Sequence, residues 1–206
     1  MMKNLWGIDN YLCCMLDFIL MSDLTNSLKN TISGLVAGVG DIVGTTRDVA
    51  KDTVVKTVKA GGDVATISVN AAGNVVSEGV SAASSAGVST IQAVTGLVTG
   101  AIEGVSEVGG NVGSAATEAS RDAVKGVKAV GGDIGEAAVS AVLGTIKAAG
   151  DIGSDSGELA KNAVLGTLKA ADEIGSEAGG IIRKALLNAA ALPHDIIDAL
   201  LKGKTE

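Results

Sequence analysis

Charged residues follow an 11-residue repeat along most of this chain. Between Asp23 and Lys202, 33 of the 34 charged residues fall on only five of the eleven repeat positions, and Arg47 is the single exception. Eleven residues make three helical turns at about 3.67 residues per turn, so the five positions cover an arc of about 130° and leave one uncharged stripe. The pattern predicts an all-α protein built from a long amphipathic hendecad-repeat helix, or from a few long helical segments, elongated rather than globular.

The repeat divides the chain into three parts. Residues 1–20 lie off the repeat phase and are interpreted as an N-terminal extension. Three interpretations remain for it, which are a non-native stretch upstream of a start at Met21, a signal peptide, and a short membrane anchor acylated at Cys13 and Cys14. Residues 21–192 form the predicted hendecad-repeat amphipathic helical region. Residues 193–206 form a predicted short C-terminal capping helix and tail, because Pro193 cannot continue a helix and Asp195 can cap the next one.

Composition narrows the classes of function. The chain contains 29 glycines but only one Trp, one Tyr and one Phe, so it lacks the large side chains on which most compact cores depend. A net charge of -7 disfavours nucleic acid as a partner, because phosphate binding requires basic patches. His194 is the only histidine, so neither a histidine-based catalytic dyad nor a histidine-containing zinc cluster can be assembled. We therefore expect a protein that is not an enzyme and that uses no metal and no cofactor.

Glycines on the uncharged stripe are candidate helix-packing residues. Four pairs, each with a spacing of four residues, recur every 22 residues, and such pairs allow close approach of another backbone. The alternative is that glycine only weakens the helix, since each mid-helix glycine costs about 0.5–1 kcal/mol relative to alanine. The eight candidates are Gly109, Gly113, Gly131, Gly135, Gly153, Gly157, Gly175 and Gly179.

Residues 79–102 form the longest stretch without charge. Its 24 residues are long enough for a helix to cross a hydrocarbon layer of about 30 Å. Ser81, Ser85, Gln92, Gly96 and Gly100 occupy repeat positions that carry charges elsewhere, so the polar face is neutralised but not made strongly apolar. Three interpretations remain, which are a transmembrane span, a continuation of the surface helix and a flexible hinge.

The two edges of the charged face differ in sign. One edge is basic and the other is acidic, with Asp172 and Lys56 as the exceptions. Parallel neighbours would bring a basic edge against an acidic edge, whereas antiparallel neighbours would bring like edges together, and many small ion-pair energies would add. The pattern predicts a homo-oligomer with parallel neighbours. The basic candidates are Lys29, Lys51, Lys128, Lys161 and Arg183, and the acidic candidates are Asp122, Asp133, Asp155 and Glu177.

The segments 54–62 and 103–113 have a valine-, alanine- and glycine-rich texture within the 11-residue period. In this pattern the chain resembles the synucleins, and more loosely the perilipins and exchangeable apolipoproteins, over roughly residues 23–192. The resemblance implies reversible adsorption of an amphipathic helix to a lipid surface. The expected function is a non-catalytic structural protein that coats a membrane, lipid droplet or hydrophobic granule surface and self-associates laterally, in the cytoplasm and peripheral to that surface. The alternative is a lipid-free self-assembling helical filament or right-handed bundle.

Overall fold

The computed structural model describes residue 30, residues 41–60 and residues 64–192. Within these ranges the only regular secondary structure is α-helix, which confirms the all-α class. Residues 1–20, the edge candidate Lys29 and the capping segment 193–206 lie outside the described part of the chain. The helices are α1 (Ile42–Ala60), α2 (Val64–Ser85), α3 (Thr90–Glu107), α4 (Val112–Ala129), α5 (Ile134–Ile152), α6 (Ser156–Ile174) and α7 (Ser176–Asn188).

The same turn ends four successive helices at a spacing of 22 residues. After α3, Gly109 has φ +73°, and the amide of Gly110 donates to the carbonyl oxygen of Val105 at 2.9 Å, which is the hydrogen bond of a Schellman motif. The Asn111 side chain then accepts from the amide of Ser114 at 2.8 Å and caps α4. The described residues therefore do not form one continuous rod. The other glycines of this turn are Gly87, Gly131 and Gly153, with φ values of 71°, 76° and 70°.

The helices pack in two layers. Helices α1, α3, α5 and α7 form one layer, α2, α4 and α6 form the other, and each helix packs against its next and next-but-one neighbours. Consecutive helices are antiparallel, because Gly79 of α2 faces Leu97 of α3 while Ser68 faces Gly110 beyond the end of α3. Neighbours within a layer are parallel, because contacts advance in the same direction along α4 and α6, from Gly113 with Asn162 to Lys125 with Glu173.

The uncharged stripe is the core of this array. One apolar cluster extends from α1 to α7, and alanine and valine make up most of its buried residues. Leu97, Ile102, Ile182 and Leu186 are the largest fully buried side chains. Small side chains allow helices to approach closely, so the chain forms a packed core although it contains few large apolar residues.

The uncharged stretch 79–102 does not form one helix. It begins in the last part of α2, passes through the turn around Gly87 and continues into α3. Because of this turn, residues 79–102 form neither the continuous surface helix nor the transmembrane helix that the charge pattern allows. No helix in the described ranges is long and apolar enough to cross a membrane.

Candidate interaction surface

Mid-helix glycines lie at close contacts between parallel neighbours. A methyl group at Gly144 of α5 would lie 2.7 Å from the carbonyl oxygen of Thr95 on α3. Gly166 of α6 faces the carbonyl oxygen of Thr117 on α4 in the same way. In both contacts the absence of a side chain on one helix makes room for the backbone of its neighbour.

Threonine hydroxyls join the same pairs of helices. The hydroxyl of Thr99 on α3 shares its proton between the carbonyl oxygen of Thr95 at 2.7 Å and that of Gly144 on α5 at 2.9 Å. The hydroxyl of Thr117 on α4 likewise lies between the carbonyl oxygens of Gly113 at 3.1 Å and Asn162 on α6 at 3.2 Å. Both interhelical bonds connect residues 45 positions apart. Thr99 and Thr117 stand one turn apart in the 22-residue unit, and at both positions a threonine of the earlier helix bonds to the backbone of the later helix.

The contact of α3 with α1 explains why the polar face of α3 carries no charge around Gly96 and Gly100. Gly96 faces the carbonyl oxygen of Val43, and Gly100 faces that of Arg47. Gly104 continues the series, since a methyl group there would lie 2.9 Å from the carbonyl oxygen of Lys51. Gly96 and Gly100 occupy repeat positions that carry charge elsewhere, and charged side chains there would prevent α1 from packing against α3, so glycine stands at these positions because another helix covers them.

Arg47, the one charged residue off the repeat phase, connects three helices. Its Nη2 lies 2.6 Å from Oε1 of Glu103 on α3 and 3.1 Å from Oδ2 of Asp151 on α5. Glu103 is only 6% exposed, so its carboxylate is nearly buried against the guanidinium. The close contact with Glu103 raises the pKa of the Arg47 guanidinium above its ordinary value. Lys51 adds a second pair across α1 and α3, with Glu107 at 3.2 Å.

A second ionic cluster joins α4 to α6. Nζ of Lys125 lies 2.6 Å from Oε2 of Glu173, and Nη1 of Arg121 lies 3.8 Å from the other carboxylate oxygen. Arg121 also pairs with Glu118 at 2.8 Å and with Asp122 at 3.0 Å. The hydrogen bond from Lys125 lowers the pKa of Glu173 below its ordinary value, and the charge of Arg121 contributes. Both clusters therefore support contacts between parallel helices.

The candidate glycine pairs divide between turns and helix starts. The first member of each pair is a turn glycine with positive φ, and a methyl group on any of them would meet no atom within 4 Å. The second members lie in the first turns of α4 to α7, where Gly113 faces Asn162 and Gly135 faces Ala185. Contacts of these glycines with a second chain stay a prediction. The turn glycines are Gly109, Gly131, Gly153 and Gly175, and the helix-start glycines are Gly113, Gly135, Gly157 and Gly179.

The edge-charge candidates are also separated by the fold. Among the basic candidates, Lys51 extends from α1 to Glu107 on α3, and Lys128 is in the last turn of α4. Lys161 on α6 and Arg183 on α7 are exposed. Among the acidic candidates, Asp133 and Asp155 are N-caps of α5 and α6, Glu177 is in the first turn of α7, and Asp122 pairs with Arg121. Parallel neighbours do occur, but the described ones belong to the same chain.

The glycines at helix crossings were missed by the sequence reasoning. Gly144 and Gly166 occupy the same repeat position as Asp122, so a glycine at a charged position was the available signal. Among the described residues, no group of three or more His, Cys, Asp or Glu side chains is placed to hold a metal ion. No protein-family model matches the chain. No curated protein matches it at a significant level either.

Proposed function

We propose that this chain is a non-catalytic structural protein that self-associates by helix packing and needs no lipid to do so. The supporting observation is the position of its exposed apolar side chains. Leu165 on α6 and Ile181 and Leu187 on α7 are 40%, 48% and 39% exposed, and the fourth large apolar residue exposed in the described ranges is Val64 on α2. Apolar exposure is therefore concentrated on the last two helices.

Helix packing also accounts for the repeat. Each described helix buries its uncharged stripe against other helices, so the amphipathic pattern is used without a lipid surface. Arrays built from repeated contacts can be lengthened by further helices, because each unit touches only its neighbours. We propose that chains associate at the α6 and α7 end and so form an elongated assembly.

Sedimentation and circular dichroism together test this proposal. We expect the protein without lipid to be strongly helical and to sediment as an oligomer whose population rises with protein concentration. Vesicles or an oil emulsion should add little helix. A chain that remains monomeric at every concentration, or that becomes helical only with lipid, would contradict the proposal.

A second candidate function is the coat of a lipid or hydrophobic granule surface, as the resemblance to the synucleins implies. The composition of the core supports it. Alanine, the commonest residue of the core, contributes little apolar area, so exchanging helix–helix contacts for a lipid interface involves a modest loss of burial. In this proposal the array opens, and its helices place the same stripe on the surface.

A disulfide lock separates the two candidates. Val80 of α2 and Gly126 of α4 suit a Cys pair, since a Cβ atom at Gly126 would lie 3.4 Å from Cβ of Val80. In a background with Cys13→Ser and Cys14→Ser, the oxidised V80C/G126C protein cannot separate these helices, and its reduced form is the matched control. A coat that requires opening should float with vesicles only when reduced, whereas lipid-free self-association should be the same in both forms.

A further inference from the structure

The 22-residue unit identifies equivalent positions on successive helices. One position contacts the next helix of the same layer on both α3 and α4. Its occupants on α3 to α7 are Thr99, Arg121, Leu143, Leu165 and Leu187.

The early members of this series contact their in-layer neighbours directly. Thr99 of α3 donates its hydroxyl to the carbonyl oxygen of Gly144 on α5, and Arg121 of α4 approaches Glu173 of α6 at 3.8 Å. Leu143 of α5 is half-buried, in the layer where α7 is the next helix. This position therefore marks the forward edge of each helix, defined as the edge that receives the next-but-one helix.

The last members of the series have no such neighbour among the described helices. Thr99 is fully buried, whereas Leu165 on α6 and Leu187 on α7 are 40% and 39% exposed. One turn earlier on the same edge, Thr117 bonds to α6, while its equivalents Lys161 and Arg183 are exposed. The forward edges of α6 and α7 thus form one surface, two helices wide, with a leucine on each helix. We name this surface, with Lys161, Leu165, Arg183 and Leu187, the open face.

We propose that the open face binds the open face of a second copy of this chain around a two-fold axis. This inference rests on the proposed self-association and specifies its surface. A head-to-tail arrangement would instead place the leucines against the rear edge of a first helix pair. Gly100, Gly144 and Gly166 make that rear edge fit its neighbours, but the equivalent residues of α1 and α2 are Lys56 and Glu78.

Shape therefore favours the symmetric arrangement. The long side chains of Lys56 and Glu78 would occupy the space that glycine leaves free on the rear edges of α3, α5 and α6, so a second copy could not approach closely there. In a face-to-face dimer the leucines of one copy meet those of the other, and the long stems of Lys161 and Arg183 can extend from the rim into water. A contact of one patch with its own copy is isologous and closes at two chains.

The test compares variants of the exposed leucines by sedimentation velocity across a series of protein concentrations. The double variant L165D/L187D is expected to weaken dimerisation by about 100-fold or more, because it places carboxylates at the centre of the contact. Its circular dichroism and urea midpoint should stay close to those of the parent chain, since both side chains are exposed. Val64→Asp, at the similarly exposed position on α2, is the matched control and should leave dimerisation unchanged.

A mixing experiment tests the two-fold arrangement itself. L165K/L187K should also be monomeric alone, but an equimolar mixture with L165D/L187D should form a heterodimer, because opposite charges then face each other. If the parent chain assembles but the Asp and Lys double variants still dimerise alone, or their mixture forms no heterodimer, the chains associate through a different surface or arrangement and only this inference fails. A parent chain that is monomeric at all concentrations overturns the proposed self-association as well. A monomeric parent that L165D/L187D destabilises would show that the chain covers this face itself, which also overturns the inference.

Discussion

Replacing Gly144 by alanine tests whether mid-helix glycines serve close packing or only weaken their helices. A methyl group at this position would lie 2.7 Å from the Thr95 carbonyl oxygen and 3.3 Å from both Thr95 Cα and Thr99 Oγ1. Backbone atoms cannot move aside as a flexible side chain can, so α3 and α5 must separate. Gly150 is the matched control, because it lies on the same helix and a methyl group there would meet no atom within 4 Å.

The magnitude follows from comparing the two variants. Both substitutions gain helix propensity, by about 0.5–1 kcal/mol in a helix interior. Only Gly144→Ala also overpacks a helix contact, at a cost of about 1–3 kcal/mol. Gly150 lies in the last turn of α5, so its propensity gain is no larger than that at Gly144, and the overpacking cost should leave Gly144→Ala the less stable by up to about 3 kcal/mol.

Urea unfolding followed by circular dichroism measures this difference. We expect Gly150→Ala to shift the midpoint upward and Gly144→Ala to shift it downward, with similar dependence on urea concentration in both. If both variants gained the same stability, glycine at Gly144 would matter only for helix propensity, and the close-packing account of the in-layer contact would be refuted.

Three further predictions concern ion pairs and turns. Arg47→Met should destabilise the fold by about 1–3 kcal/mol, because Glu103 loses its cation while nearly buried. Adding Glu103→Leu should restore most of that loss, as measured by urea unfolding. An unchanged urea midpoint for Arg47→Met would show that this ion pair does not stabilise the fold. Lys125 lowers the pKa of Glu173, so this pair stabilises the fold fully above the ordinary carboxyl pKa of 4.5, and the stabilisation is lost as pH falls through the lowered pKa. Glu173→Gln should therefore make the melting temperature fall less steeply at acid pH. Inserting one alanine between Gly132 and Asp133, after the last hydrogen bond of the turn and before the N-cap, should lower the melting temperature less than the same insertion after Val124 inside α4, where it would rotate the stripe by about 100°.

The helical class and the amphipathic faces could be predicted from the sequence, because charge periodicity directly reports which side of a helix is solvated. The breaks between helices could not be read from that period. A helix and its turn together occupy 22 residues, which is twice 11, so the charge phase continues across each turn as if the helix had not ended. The available signal was local, and it consists of Gly109 or Gly131 followed two residues later by the helix-capping side chain of Asn111 or Asp133.

Two departures from the repeat carried tertiary information that periodicity alone does not decode. Arg47 lies off the charged positions because it extends from α1 to Glu103 on α3 and Asp151 on α5. Gly96 and Gly100 occupy repeat positions that carry charge elsewhere, and they lie where α1 covers α3. A single helix gives no reason for either feature, since both are consequences of a second helix packing on the polar face.

The distribution of charge along the edges follows from the position of each helix in the array. Edge positions covered by an in-layer neighbour carry either a hydrogen-bonding residue, as Thr117 does against α6, or a charge that finds a partner on that neighbour, as Lys51 does with Glu107, because a buried unpaired charge is costly. The equivalent positions on the last two helices carry Lys161 and Arg183, which remain exposed. Opposite edge charges alone would predict that chains join through these residues. Within the described array, however, parallel helices approach closely at glycine and threonine, so ion pairs such as Lys125 with Glu173 add to contacts made by backbone packing.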